Sequence, residues 1–300
     1  MSTKRETNSR GRREGMTVPA RPAASRAAPD ARFHACPIDP TCPHCAGQGG
    51  YDWSFVDAVY CISLADRPDR AALAARELHR VGLCRRVLFY RPDRHRGRVI
   101  EGIWESHRAV ADHALRQGAR CALILEDDAA FGRWVRPRTV AAVAAALRTL
   151  PADWMIYFLG HWPLRARFVR YNVVRTWSGC AHAYIASERL LHWLRATPFD
   201  KEKRERSRIV GGGIDASYAR LESTFAHFPM LAIQAVRGSD HLAFKMRKRR
   251  IRKLRHLVTR TEAGELLLSY LMRPNELVQA GIAVIAGAGT LLARPFRRRL

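Results

Sequence analysis

Short apolar runs alternate with amphipathic stretches along the middle of the chain. The apolar runs are rich in β-branched and aromatic residues, which is typical of buried strands. The stretches between them repeat apolar residues at helical spacing, and Gly or Pro follows several of them. The predicted strands cover 57–64, 86–90, 121–125, 154–159 and 181–186, and the predicted helices cover 70–81, 105–117, 140–149 and 188–195. This alternation predicts an α/β fold with a mainly parallel sheet.

One predicted strand ends in three acids, Glu126, Asp127 and Asp128. Ligands of parallel sheets bind beyond the carboxyl ends of the strands. In an extended backbone Glu126 and Asp128 share one side and Asp127 points away. Clustered carboxylates repel one another unless a cation lies between them, and oxygen ligands suit Mg²⁺ or Mn²⁺. The triplet therefore predicts either a divalent metal site that holds a diphosphate or acids that only cap the following turn.

The chain is strongly basic, with 52 Lys and Arg residues against 27 Asp and Glu residues and a formal net charge of +25. Such a charge predicts an anionic partner, which includes phosphates, acidic lipids, nucleic acid and anionic glycans. A GC-rich genome would also produce an excess of arginine. The apolar fraction of 47% is sufficient for a sizeable core.

Residues 1–50 are predicted to be a disordered basic arm, without the apolar segment of a signal peptide. The arm carries a cluster of possible zinc ligands: His34, Cys36, Cys42, His44 and Cys45. Cys42 and Cys45 have the spacing of a ligand pair, but a complete site within so short a segment would be cramped. Loop cysteines are therefore the favoured interpretation, with zinc at Cys36, Cys42 and Cys45 as the alternative.

Residues 245–300 are predicted to be a basic and apolar helical tail. The segment 245–255 is a dense basic block, and 277–293 is apolar except for two polar residues. The apolar segment is slightly short for a spanning helix, but basic residues flank it as they flank membrane anchors. We expect the tail to contact an anionic membrane surface, with a docking helix or a solvated charged helix as alternatives. The expected location is the cytoplasm, at the inner face of the membrane.

Several segments, taken in chain order, resemble motifs of the family 25 glycosyltransferases, which include lipopolysaccharide sugar transferases and collagen galactosyltransferases. The similar segments are 59–70 with its Asp-Arg-Pro-Asp-Arg turn, 101–107 with its Ser-His pair, the acidic motif 123–131, the small-residue strand 179–185, and the short segments 213–215 and 234–240. The resemblance covers about 57–242. It implies a GT-A-like, Rossmann-like fold for residues 51–244.

The resemblance also implies an activity, namely the transfer of a hexose from a UDP-sugar to a glycan acceptor. Galactose is the expected sugar, and lipopolysaccharide or another lipid-linked glycan is the expected acceptor. A divalent cation, Mn²⁺ or Mg²⁺, would neutralise the leaving diphosphate. The implied metal ligands are Asp128 directly, Glu126 through water, and His241. The alternative for Glu126 is a contact with the ribose.

The residues implied in donor binding end or follow two of the predicted strands or lie in the Ser-His segment: Leu64, Arg67, Arg70, Ser106, His107, Glu126 and Asp127. Guanidinium groups suit phosphates, although the two arginines could instead pair locally with Asp66 and Asp69. A helix that begins at the Ser-His pair would favour an anion, although Ser106 could be only its N-cap.

The catalytic base implied for an inverting transferase is a carboxylate that takes the proton of the acceptor hydroxyl. Asp215 is the first candidate because it follows three glycines, which allow a ligand to approach closely. Glu222 is the second candidate. The alternative for Asp215 is a helix N-cap.

A different class of function is also consistent with the charge and the Cys/His cluster. In this alternative, the chain is a basic nucleic-acid-binding or zinc-binding protein on a degenerate transferase scaffold. Salt-sensitive binding of nucleic acid together with stoichiometric zinc would favour it. The dense basic block lies next to an apolar segment, so a membrane surface is the preferred partner of that block.

Overall fold

The computed structural model describes residues 30–37, 49–132, 134–200 and 213–234. In these ranges the strands are β1 (Phe33–Ala35), β2 (Ala58–Ile62), β3 (Val87–Tyr90), β4 (Cys121–Glu126), β5 (Ala129–Phe131), β6 (Ile156–Arg170), β7 (Val173–Ser187), β8 (Thr224–His227) and β9 (Ala232–Gln234). The helices are α1 (Pro68–Arg80), α2 (Val99–Arg116), α3 (Pro137–Leu147), α4 (Glu188–Ala196) and α5 (Ile214–Tyr218). The α/β class predicted from the alternation is confirmed.

The main sheet contains seven strands in the order β1-β3-β2-β4-β7-β6-β8. Strand β2 lies parallel to both β3 and β4, which produces a parallel block with β2 at its centre. Strand β7 runs antiparallel to β4, and β6 runs antiparallel to β7. The prediction of a mainly parallel sheet was therefore wrong for the β4–β7 and β6–β7 ladders. The strands β6 and β7 are joined as a hairpin, and hairpin strands must run in opposite directions.

The β6–β7 hairpin is much longer than the two strands predicted from its apolar segments. Its register is interrupted at several irregularities, which bend the ladder. Strand β8 pairs in parallel with the start of β6 and antiparallel with the start of β7. The hairpin is therefore curled, so that β8 pairs both with its base, at the start of β6, and with its tip, at the start of β7. The polar residues along its outer half hide this length from the apolar pattern.

Helices cover both faces of the sheet. On one face, α1 packs Ala71, Ala75 and Leu78 against the strands, and α3 lies in the same apolar cluster. On the other face, α2 and α4 share a second cluster that includes Val110 of α2. Alternate residues of each strand enter the two clusters, since successive side chains of a strand point to opposite faces. This arrangement leaves the carboxyl edge of the parallel block for a site.

Helix α2 begins six residues earlier than predicted. Arg98 is extended and Val99 is its first residue, so the Ser-His pair lies within the helix and not at its N-terminus. The Ser106 hydroxyl donates to the carbonyl oxygen of Gly102 at 2.7 Å, which is a bond within the helix. Both the predicted anion site at this N-terminus and the alternative of an N-cap for Ser106 are therefore wrong.

Part of the predicted arm belongs to the sheet. Strand β1 pairs antiparallel with β3, and the ring of Phe33 stacks on His113 of α2 with centroids 3.9 Å apart. His34 lies in this strand and is exposed, and Cys36 directly follows the strand and is half-buried. Cys42, His44 and Cys45 lie outside the described residues, as does the tail 245–300. Within the described ranges, no helix combines the length and apolarity needed to cross a membrane.

Candidate functional site

The acidic triplet lies at the carboxyl edge of the parallel block, as the sequence predicted. Glu126 is the last residue of β4 and is paired in register with Ile62, the last residue of β2. The backbone then leaves the strand, and the amide of Asp127 donates to the carbonyl oxygen of Ile62 at 3.1 Å. The three carboxylates therefore stand where the ends of two parallel strands meet.

A single guanidinium group contacts two of the three acids. The Nη2 atom of Arg70, on the first turn of α1, contacts Oδ1 of Asp127 and lies 3.3 Å from Oδ2 of Asp128. The side chains of Arg70, Asp127 and Asp128 are almost fully buried. The prediction that Asp127 faces away from Asp128 was wrong, because the strand ends at Glu126 and strict alternation ends with it.

Asp127 is held within the protein by two donors. Ser63, the residue after β2, donates its hydroxyl to Oδ2 of Asp127 at 2.9 Å, and Arg70 contacts the other oxygen. Burial raises the pKa of Asp127 to about 7, a shift that Arg70 opposes and Asp128 increases. With both oxygens engaged, Asp127 supports its neighbours and is poorly placed to bind a ligand itself.

Asp128 is the acid of the triplet that has a carboxylate oxygen without a hydrogen-bond partner among the described residues. The side-chain amide of Gln234, at the end of β9, donates to Oδ2 of Asp128 at 3.1 Å. The Oδ1 atom is buried and has no hydrogen-bond partner among the described residues. A buried carboxylate oxygen without a partner is costly, and a cation would satisfy it. Asp128 therefore fits the ligand role that the resemblance implies.

Glu126 is connected to a different set of residues. The Nε2 atom of His107 lies 3.3 Å from Oε1 of Glu126. Burial raises the pKa of Glu126 well above its usual range, and the charges of Asp128 and Asp215 add to this. Burial also lowers the pKa of His107 to about 4, with the Asp215 charge opposing it, so the imidazole is neutral at neutral pH.

Behind His107 the hydrogen bonds continue into the core. The Nδ1 atom of His107 lies 2.7 Å from the hydroxyl of Tyr184 on β7, and that hydroxyl lies 2.7 Å from the hydroxyl of Tyr218 on α5. Both tyrosines are buried, and burial raises the pKa of each phenol. The sequence analysis missed both, although Tyr184 lies in the small-residue segment 179–185.

Asp215 is brought to the same region but is not an N-cap. Gly213 precedes α5 as its N-cap, and Asp215 is the second helical residue. Its Oδ1 atom accepts the backbone N–H of Ala181 at 2.8 Å. The half-buried carboxylate is close enough for its charge to raise the pKa of Glu126.

Two other residues from the sequence analysis, Arg67 and Leu64, make local contacts within the turn after β2 and the start of α1. Arg67 forms two hydrogen bonds with Asp69, at 2.9 and 2.8 Å, which is the local pairing considered as the alternative. The carbonyl oxygen of Leu64 accepts the backbone N–H of Arg67 at 3.1 Å. His241 lies outside the described residues.

The position of Glu222 does not suit the predicted second base. It is exposed and precedes β8, where the neighbouring carbonyl oxygen of Ser223 accepts the N–H of Met155 just before β6 begins. Met155 in turn accepts the N–H of Ser187, the last residue of β7. Ser187 is paired with Cys121, the first residue of β4, so this is the end of the sheet where β4 begins. Glu222 therefore lies at the opposite edge from the acids.

A buried histidine that the sequence analysis did not assign lies near Asp128. Burial lowers the pKa of His182, on β7, and the charge of Asp128 raises it in part. Neither ring nitrogen makes a well-aligned hydrogen bond within the described ranges, although the carbonyl oxygen of Ala232 is close to the ring. His161 lies nearby and contacts the Ser178 hydroxyl at 2.8 Å.

The described residues contain no group of three or more His, Cys, Asp or Glu side chains arranged around a common metal position. A cation bound at Asp128 would thus need further ligands from a substrate, from water or from outside the described ranges. The diphosphate oxygens of a nucleotide sugar are ligands of that type.

No protein-family model and no curated protein matches the sequence. Among solved structures, the chain is similar to the crystal structure of A197 from STIV, with 13% sequence identity and a TM-score of 0.31. The match covers 56% of this chain and 80% of that chain. Similarity at this level supports no conclusion about fold or function. The candidate site is therefore inferred only from the geometry of this chain.

Proposed function

We propose that the chain is a glycosyltransferase with a GT-A-like fold that transfers a hexose, galactose in the first instance, from a UDP-sugar to a glycan acceptor. The observation that carries the proposal is the unpartnered, buried Oδ1 atom of Asp128 at the carboxyl edge of the parallel block. The resemblance of segments 59–70, 101–107 and 123–131 to family 25 motifs supports the same assignment.

In this reaction the bond between the anomeric carbon and the diphosphate oxygen breaks, and UDP leaves with the electron pair. A new bond forms between that carbon and an acceptor hydroxyl oxygen, whose proton passes to a carboxylate or to solvent. Asp215 is the candidate base from the sequence, and its half-buried position near Glu126 is consistent with this role.

Asp128 would hold the Mn²⁺ or Mg²⁺ ion, with Glu126 as a further candidate ligand, and the ion would supply neutralisation of the diphosphate charge. Arg70 places a second positive group at the same edge. Its buried Nε–H has no partner in the described part of the chain, so it is available to donate to a phosphate oxygen.

The test is a panel of UDP-hexoses with glycan acceptors, in which UDP release is measured as a function of Mn²⁺ and Mg²⁺ concentration. We expect release with at least one donor and a loss of about 100-fold or more in Asp128→Asn. The matched control is Asp112→Asn, which removes the charge of a half-buried acid of α2 that pairs with Arg116 at 3.3 Å. No UDP release by folded wild-type protein with any donor would refute the proposal.

A further inference from the structure

Glu126 differs from the other two acids in its exposure. Its side chain is 25% exposed, whereas those of Asp127 and Asp128 are 9% and 5% exposed. Arg70 contacts the two buried aspartates, so the most exposed carboxyl group of the triplet is held by a neutral histidine instead. Glu126 is therefore the member of the triplet that a polar molecule at this edge reaches most easily.

A continuous line of hydrogen bonds holds Glu126 from behind. It runs from Glu126 to His107 at 3.3 Å, from His107 to Tyr184 at 2.7 Å, and from Tyr184 to Tyr218 at 2.7 Å. These residues lie on four different elements: β4, α2, β7 and α5. Side-chain networks that join several elements fix the orientation of the group at their end.

Both ring nitrogens of His107 are engaged, so the imidazole cannot turn without breaking a hydrogen bond. The ring is also stacked on Tyr184, with centroids 5.8 Å apart and an interplanar angle of 20°. A buried imidazole needs a partner at both nitrogens, and for His107 one of the two partners is Glu126, the most exposed carboxyl group of the triplet. This geometry is typical of residues that orient a functional group.

We propose that Glu126 forms a hydrogen bond to a hydroxyl group of the sugar substrate, and that His107, Tyr184 and Tyr218 are positioning residues that hold its carboxyl group for this contact. The inference rests on the proposed function, because it assigns a substrate contact within the same site. It assigns Glu126 to the sugar in place of the metal ligation for which Glu126 was the further candidate, and metal ligation stays with Asp128.

The test compares kcat, KM and UDP affinity in variants along the line, with the UDP-hexose that the donor panel identifies. We expect Glu126→Gln to lower kcat by about 100-fold, since it alters the contact itself. Tyr184→Phe, which removes only one hydroxyl, should lower kcat by about 10-fold. UDP affinity, measured by calorimetry with UDP and Mn²⁺, should change by less than about twofold in both, since Asp128 and Arg70 are intact.

Tyr157→Phe is the matched control. The Tyr157 hydroxyl lies 2.9 Å from Nδ1 of His227, which is also a buried tyrosine–histidine hydrogen bond, on the opposite face of the sheet. Both variants should lose a similar free energy of unfolding, of about 1 kcal/mol, but only Tyr184→Phe should lose kcat. Equal kcat values in the two variants would overturn the positioning role.

Two substitutions of His107 separate positioning from packing. Glutamine places an amide near the former Nε2 position, which faces Glu126, and asparagine places one near the former Nδ1 position, which faces Tyr184. We expect His107→Gln to retain about 10-fold more kcat than His107→Asn. The opposite order, or equal values in two folded variants, would overturn the inference while the proposed function stands. A wild-type protein without transferase activity would overturn both.

Discussion

The Nη2 atom of Arg70 lies 3.3 Å from Oδ2 of Asp128, and the same atom contacts Asp127. The protein therefore places a permanent cation against its own acidic cluster. Neighbouring carboxylates repel one another when all are ionised. A guanidinium group between them reduces that repulsion without any bound ion. Arg70 should consequently affect both the stability of the fold and the behaviour of the site.

Replacing Arg70 should destabilise the protein. Arg70→Gln leaves two buried aspartates without their cation, and removing one partner of a buried ion pair costs about 3–5 kcal/mol. We expect the free energy of unfolding in urea at neutral pH to fall by about 3 kcal/mol. The double variant Arg70→Gln/Asp127→Asn should recover part of this loss, because one of the unpaired charges is gone. Strictly additive losses would contradict the coupling.

Gly160 should not accept a side chain. It lies on β6 where an added Cβ atom would overlap the carbonyl oxygen of Ala232 and the Nε2 atom of His182. A backbone oxygen cannot move aside cheaply, and overpacking of this kind costs about 1–3 kcal/mol. Gly160→Ala should lower the urea midpoint accordingly. Gly118→Ala is a useful comparison, because its added Cβ meets no atom and only its positive φ is strained. An unchanged midpoint in Gly160→Ala would contradict this packing.

The sequence predicted the parts of the fold that depend on local periodicity. The strand of residues 121–125 and the helix of residues 188–195 lie within one residue of β4 and α4, because apolar period and turn residues act over short distances. The position of the acids at the carboxyl edge followed from the same pattern. The start of α2 was not predicted, since Gly102 is a poor helix former and tertiary contacts of the helix outweigh it.

The details of the site depended on contacts that no local pattern encodes. Ser63 and Asp127 are 64 residues apart, and Tyr184 and Tyr218 are 34 apart. Ser63 could have been noticed because it lies at the carboxyl end of a predicted strand, 57–64, at the same edge as the acids. Tyr218 carried no such signal, since its hydroxyl reaches Tyr184 only through the packing of α5 on β7. The direction in which the Asp127 side chain points was mispredicted, because the alternation of a strand does not continue into a turn.

The stability of the protein should depend on pH through its buried histidines. Burial lowers the pKa of His227 to about 4, whereas an exposed histidine has a pKa of about 6.5. Between these values the unfolded chain binds a proton that the folded chain does not, so the free energy of unfolding decreases as pH falls from about 6.5 to 4. Asp127 acts in the opposite direction, because its pKa of about 7 is raised.

The contribution of one histidine can be isolated by comparison with His227→Asn, which retains an amide near Tyr157. As pH falls from 6.5 to 4, the free energy of unfolding of the variant should decrease by about 3 kcal/mol less than that of the wild type. Urea denaturation at several pH values measures this difference. Parallel stability curves for the two proteins would show that His227 does not have a lowered pKa in the folded state.

The N-terminus of α4 is capped by a single side chain, that of Ser187, whose hydroxyl oxygen accepts the backbone N–H of Leu190 at 3.3 Å. Ser187→Ala should lower the free energy of unfolding by about 1 kcal/mol, and Ser187→Thr should retain most of it, because threonine is also an N-cap residue. Thermal or urea denaturation is a sufficient measurement. A threonine variant as unstable as the alanine variant would attribute the effect to packing at this buried position.

The hydrogen bond between Gln234 and Asp128 joins residues 106 positions apart. Fast-folding domains form mainly local contacts, whereas contacts this distant close slowly because a long loop must be ordered first. On a ribosome, the strands that carry the acids emerge well before β9, so the acidic edge exists for a time without its amide partner. The candidate site is therefore among the last parts of the molecule to be completed, and a chain interrupted before β9 would keep most of its sheet while lacking a finished site.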